Sequence, residues 1–191
     1  MVIRCDKISR MVMKKYADDY ETVVTVEESG REIKTAVFRG DYFEIELDKI
    51  SILKFRRIST LLLFAIGILH ISSGFVGNPG TYQFLVSLPY VFAYLPLFYL
   101  AIGVLRLPKE KRKLRRDEIG LSFDRVKSAG KLLLGCISFG VIGEIIFIFF
   151  ISENNQPLLD TIYLAIQIIA AASVYFLLNF QKKIRIIPSQ G

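Results

Sequence analysis

Residues 84–105 read FLVSLPYVFAYLPLFYLAIGVL, a run without one charged side chain. About 20 mainly apolar residues in a helix cross roughly 30 Å of hydrocarbon, so this stretch is long enough to span a bilayer. Three further runs resemble it. One extends from about Ser59 to Val76 through LLLFAIGILHISSGFV, one from about Leu132 to Ser152, and one from about Thr161 to Phe180. A single run of this kind in a soluble domain is a buried core helix. Four of them in a chain of 191 residues leave too little polar chain to cover them all. The pattern predicts a membrane α-helical fold, a four-transmembrane-helix bundle with spans at 59–76, 83–105, 132–152 and 161–180 inside a membrane domain 58–181.

Composition and charge fit that division. The chain is 52% hydrophobic with a mean hydropathy of +0.43, and the apolar excess lies almost wholly beyond the first fifty-odd residues. The 25 Lys and Arg fall in residues 4–57, in a basic loop 106–131 and in the tail 182–191 as Lys182, Lys183 and Arg185. The connections Gly77–Tyr82 and Glu153–Asp160 contain none. With an even number of spans these two loops share one side, and by the positive-inside rule the basic side is cytoplasmic. The expectation is a multi-pass protein of the cell membrane (plasma or inner) with both termini in the cytoplasm. The opening MVIRCDKISR places charges where a signal peptide needs apolar residues, so membrane targeting is expected from the first span.

A net charge of +7 also invites a nucleic-acid reading. The densest run, Lys109, Lys111, Arg112, Lys113, Arg115 and Arg116, directly follows the second span, and no arginine–aromatic interleaving accompanies it. Its expected partners are therefore the lipid bilayer and anionic lipid headgroups, at about 1 kcal/mol per basic residue near the surface. No nucleic-acid partner is expected.

Residues 1–57 read as a cytoplasmic β-rich segment. Thr22–Val26 is β-branched, Glu28–Arg31 is a turn cluster, Ile33–Phe38 follows, Arg39-Gly40-Asp41 turns again, and YFEIEL at 42–47 alternates apolar with acidic. Ile50–Phe55 is either a further strand or the lead into the first span. The expectation is a small N-terminal antiparallel meander of three or four strands. So small a unit cannot bury its apolar face alone, so it is expected to pack on the central loop, the membrane surface, a second copy or a partner. Glu44–Ile50 and Glu118–Val126 echo one another as E-I-x-L followed by Asp, a basic and a β-branched residue. Such an echo implies parallel two-span repeats, although strand-like segments ahead of a span draw on few residue types and produce it by chance.

Strongly polar groups inside spans are costly and therefore informative. His70, Tyr90, Glu144 and Gln167 each lie roughly 10–12 Å beneath the outer surface at about 1.5 Å of rise per residue, one per span. Gly67, His70, Gly74 and Gly77 form one stripe, and Cys136, Gly140, Gly143 and Glu144 another, so close helix approach is expected on both. Pro89 and Pro96 share a face of the second span, and Phe147–Phe150 reads as lipid-facing bulk. The polar layer reads either as a buried His–Glu site for a proton, cation or polar ligand, or as a hydrogen-bond cluster that fixes helix register.

No hydrolase, metalloprotease or nucleotide-binding motif is present. One His and the unclustered Cys5 and Cys136 make neither a zinc site nor a structural disulfide. The chain is expected to be no enzyme, with no cofactor and no metal. Two functions remain: a non-catalytic accessory or scaffold subunit docking a protein partner or a second copy through its β unit, and a small oligomeric transporter or channel using His70 and Glu144.

Overall fold

The computed structural model describes residues 16–26, 32–109, 113–151 and 157–189. They are mostly helical, with a small antiparallel β component. The helices are α1 (Lys49–Ser73), α2 (Phe84–Leu105), α3 (Arg116–Phe150) and α4 (Pro157–Lys182). Three of them, α2, α3 and α4, are long and apolar enough to cross a membrane. The first helix differs because Lys49, Lys54, Arg56 and Arg57 occupy its opening turns. Its uncharged part, Ile58–Ser73, reaches only about 24 Å at 1.5 Å per residue.

Each helix turns one stripe inward. In α1 the buried positions are Ile52, Phe55, Ser59, Leu63, Ile66, His70 and Ser73. In α4 they are Asp160, Tyr163, Gln167, Ala170, Val174 and Leu177, with Leu178 beside them. These steps of three and four are the heptad seam of a left-handed helix bundle. The helices form a ring in which α1 and α3 both neighbour α2 and α4. Ile50–Phe55 is thus helix rather than strand, because Ile52 and Phe55 extend the seam. The third helix also begins earlier than the apolar run, at Arg116, contains a π turn at Gly120–Asp124 and runs out in another at Phe147–Ile151.

The β unit departs from the expected meander. Strands β1 (Tyr20–Val26) and β2 (Glu32–Phe38) form an antiparallel hairpin with Tyr20 opposite Phe38. Strand β3 (Tyr42–Ile45) does not continue it. It pairs instead with β4 (Lys113–Arg115), from between α2 and α3, and on its other edge with β5 (Ile186–Pro188), from the tail. The turn explains the switch. The N–H groups of Arg39 and Gly40 both donate to the carbonyl of Asp19, at 2.8 and 3.2 Å, and the chain leaves the hairpin there. A Cβ at Gly40 would sit 2.8 Å from that of Asp19, so this turn requires glycine. The echoed segments also differ in structure, Glu44-Ile45 lying in β3 and Glu118-Ile119 in a helix.

The three-stranded sheet closes one end of the bundle and shares its core. Ile45 and Leu114 are buried in the same apolar cluster as Phe55, Leu107 and Phe123. Phe55 stacks on Phe123 and tilts against Phe180, at centroid distances of 6.2 and 5.3 Å. Gln181 donates to the carbonyl of Phe123 at 2.6 Å, supplying a donor inside the π turn.

The hairpin is held at its base. Tyr20 donates its hydroxyl to Asp117 Oδ2 at 2.9 Å, Phe38 packs edge-on against Tyr20 and Tyr42, and the Arg115 guanidinium lies 5.4 Å from the Phe38 ring centroid. Burial, and then the hydrogen bond to Asp117, push the Tyr20 phenol above its ordinary value. A raised folded-state value means that this contribution is complete below the unfolded phenol range near 10 and is lost as pH climbs through the raised value. Tyr20→Phe should therefore release the hairpin at neutral pH to limited proteolysis within residues 20–38, with the bundle intact. Unchanged cleavage would remove Asp117 as the anchor.

Candidate functional site

Apart from Ser59 and Ser122, the buried polar residues gather at the end of the bundle opposite the sheet, where α1 and α2 are joined by residues 74–83. His70, Ser73, Asn78, Glu144, Asp160 and Gln167 are all buried there. The seams of α1, α3 and α4 each place one or two of them, and Asn78 comes from the connection. His70 and Ser73 are the last inward positions of α1, Glu144 follows Gly143 on α3, and Asp160, Tyr163 and Gln167 are consecutive inward positions of α4.

Two hydrogen-bonded branches result. In the first, the His70 ring nitrogen Nε2 lies 3.1 Å from the carbonyl of Tyr90 on α2. Its ring packs against those of Tyr90 and Tyr94, whose hydroxyls are 2.8 Å apart. Ser73 donates to the carbonyl of His70 at 2.7 Å and accepts from Gln167 Nε2 at 2.8 Å. The second branch is built on Glu144, which has no accessible surface. Its Oε1 accepts from Asn78 Nδ2 at 2.7 Å, and Asn78 Oδ1 accepts from the N–H of Gly80 at 2.7 Å. The Asn-Pro-Gly turn therefore folds down onto the carboxyl group. Gly80 rests so closely on it that a Cβ there would lie 2.3 Å from Glu144 Oε2.

The four residues expected to share a layer are thus at one end of the bundle, divided between two hydrogen-bonded branches, with Tyr163 within reach of Glu144, Gln167 and Tyr90. Among the described residues His70 and Glu144 share no hydrogen bond, and each is served by a different element. Among the described residues His70 Nδ1, Glu144 Oε2 and Asp160 Oδ1 are buried without a hydrogen-bond partner. Sequence reasoning missed Asn78, Ser73, Asp160, Tyr163 and Tyr94. For Asn78 a signal existed, since Asn-Pro-Gly is a turn whose Asn side chain caps the following backbone. No group of three or more His, Cys, Asp or Glu arranged to hold a metal occurs among the described residues.

The small-residue stripes separate as well. A Cβ at Gly143 would meet the backbone carbonyl of Leu85 at 2.4 Å, and one at Gly74 would meet the Tyr90 hydroxyl at 2.3 Å. A Cβ at Gly67 or Gly77 would meet no other described segment within 4 Å, so these two are not approach points. Gly77 instead carries a φ of 68°, which suits the turn leaving α1. Phe147 is buried, whereas Phe149 and Phe150 are exposed.

Of the basic run, Lys109, Lys113, Arg115 and Arg116 are exposed, while Lys111 and Arg112 lie outside the described residues, as do Cys5 and the Glu28–Arg31 turn. Lys113 and Arg115 flank the buried Leu114 in β4. Arg115 is already engaged with Phe38. Comparison with family models, curated proteins and solved structures finds no match to this chain.

Proposed function

We propose that this chain is a four-span membrane anchor, with its termini and sheet in the cytoplasm, that holds the β1–β2 hairpin out as a docking element for a protein partner. Several observations support the membrane part. The bundle hides its polar residues and exposes Leu61, Phe64, Phe98, Phe139, Ile169 and Phe176 on its outer faces, the reverse of a soluble helix bundle. Arg56 and Arg57 at the start of α1 can extend their charges toward the headgroups, which lets a short uncharged segment complete a fourth crossing.

The hairpin carries the docking part. Among the described residues no third strand pairs with β1 or β2, and an edge of that kind is a template for pairing with another chain. Val23 and Val37 share one face by register and are exposed. A two-stranded ribbon is marginal by itself, and an added strand or apolar surface on this face is the ordinary way to complete it. Val23→Lys with Val37→Lys should abolish a stoichiometric crosslink seen with the wild type in native membranes, while leaving the melting temperature of the purified bundle unchanged. A partner retained by that variant overturns the reading. A crosslink only to further copies of the same chain makes the assembly a homo-oligomer.

A second reading, a small oligomeric transporter or channel, draws on the oxygens of Glu144 and Asp160 that have no partner among the described residues. The two carboxyl groups lie within electrostatic reach of one another, and a proton or cation shared between them would relieve that arrangement. This reading uses Glu144 with Asp160, with His70 on a separate branch.

A further inference from the structure

A groove of about 410 Å³ opens between α3 and α4 on the side of the sheet. Its rim carries Lys127 and Lys131 from α3 and Lys182 from α4, with Asp124 as the one acidic residue, and its walls are Leu134, Tyr175 and Leu178. The polarity runs in one direction along both helices. On α3 the order from the sheet toward the bundle centre is Lys127, Lys131, Leu134. On α4, running the opposite way, Lys182 is at the sheet end, with Leu178 and Tyr175 one and two turns further in. The charged groups are therefore confined to the helix ends, where they stand among Phe123, Ile184 and Ile186, and are absent toward the middle, so a charged head and an apolar chain can both be met.

We propose that this groove binds one anionic phospholipid of the cytoplasmic leaflet, its phosphate held by Lys127, Lys131 and Lys182 and its acyl chain lying along Leu134, Tyr175 and Leu178. The inference rests on the membrane reading above. Charge complementarity selects this occupant. Lys127 and Lys131 are one turn apart on the same face, the third ammonium comes from the facing helix, and the three outweigh Asp124. Basic pockets between helices on the cytoplasmic side are suited to anionic headgroups, and an ammonium binds phosphate as a compact charge without demanding one headgroup geometry. The site is distinct from the dense basic run 109–116, since among the described residues of that run none lines it.

The test uses the full chain purified in detergent and titrated with dihexanoyl phosphatidylglycerol, followed by native mass spectrometry. One saturable lipid is expected. Lys127→Gln, Lys131→Gln and Lys182→Gln together should weaken binding about 100-fold, from roughly 1 kcal/mol per lysine. A control with Lys109→Gln and Arg116→Gln should bind as the wild type does. If the triple variant aggregates, Lys127→Gln and Lys182→Gln made singly should each cost about fivefold. Equal binding of dihexanoyl phosphatidylcholine, wild-type affinity in the lysine variants, or displacement by equimolar inorganic phosphate would each overturn the proposal. Release of the wild-type chain from membranes by alkaline carbonate defeats the membrane reading instead. Retention in the pellet with unaltered lysine variants defeats the groove alone.

Discussion

Gly143→Val should abolish the folded bundle, whereas Gly67→Val should leave it intact. A side chain at 143 meets the Leu85 backbone carbonyl at 2.4 Å, and a backbone atom within a helix cannot rotate aside as a side-chain tip can. Overpacking of a core costs about 1–3 kcal/mol where neighbours yield, and here α2 and α3 must separate along their contact. The same carbonyl is the one that Pro89, four residues on, cannot serve, because proline has no N–H to donate. The close approach of Gly143 offers it a Cα–H donor, worth about 0.5–1 kcal/mol. Pro89→Ala should therefore be tolerated. A Cβ at Gly67 would meet no other described segment within 4 Å, and the position gains helix propensity on substitution. Fluorescence-detected size exclusion of the three variants decides this. A monodisperse Gly143→Val peak at the wild-type volume would show that the helices can part without losing the fold.

That contrast shows what was legible beforehand. Charge-free runs locate the helices because apolar length is a local property, and α2 was placed almost to the residue. A glycine stripe is equally local, but whether it faces a neighbour depends on how the helix is rotated in the ring. Gly67 and Gly143 look alike in sequence and differ completely in surroundings. The strands behaved similarly. Alternation marked β3, yet its partners are Lys113-Leu114-Arg115, one apolar residue inside a dense basic run, and Ile186–Pro188, a short segment ending in proline. Neither has the length or alternation that marks a strand. Only the two hydrogen bonds to Asp19 settle that β3 leaves the hairpin. The polar layer was legible as depth, since rise per residue is fixed. Its division into two branches was not, because Asn78 enters from a turn that the hydropathy pattern treats as outside.

Asn78→Ala should destabilise the bundle by about 2–3 kcal/mol, the cost of leaving a buried carboxyl oxygen without its donor. Among the described residues Glu144 Oε2 already lacks a partner, so there the variant leaves both oxygens of a group with no accessible surface unsatisfied. Removing both partners should cost much less than removing one. Glu144→Leu with Asn78→Ala replaces a half-satisfied polar contact by apolar surface, and a double-mutant cycle on thermal unfolding should return a coupling of about 1–2 kcal/mol in favour of the pair. Additive losses would mean that Asn78 matters through its turn alone, by the bond to Gly80. Glu144→Gln distinguishes the two functional readings on the same material. The amide preserves volume and keeps an oxygen able to accept from Asn78, so an anchor should keep its partner and most of its stability. A transporter that shares a proton or cation between Glu144 and Asp160 should instead lose flux in reconstituted vesicles while remaining folded, because the amide carries neither a titratable proton nor a charge. Intact partner capture together with absent flux in the wild type as well as the variant would leave the polar cluster the single task of holding the outer turn on the bundle.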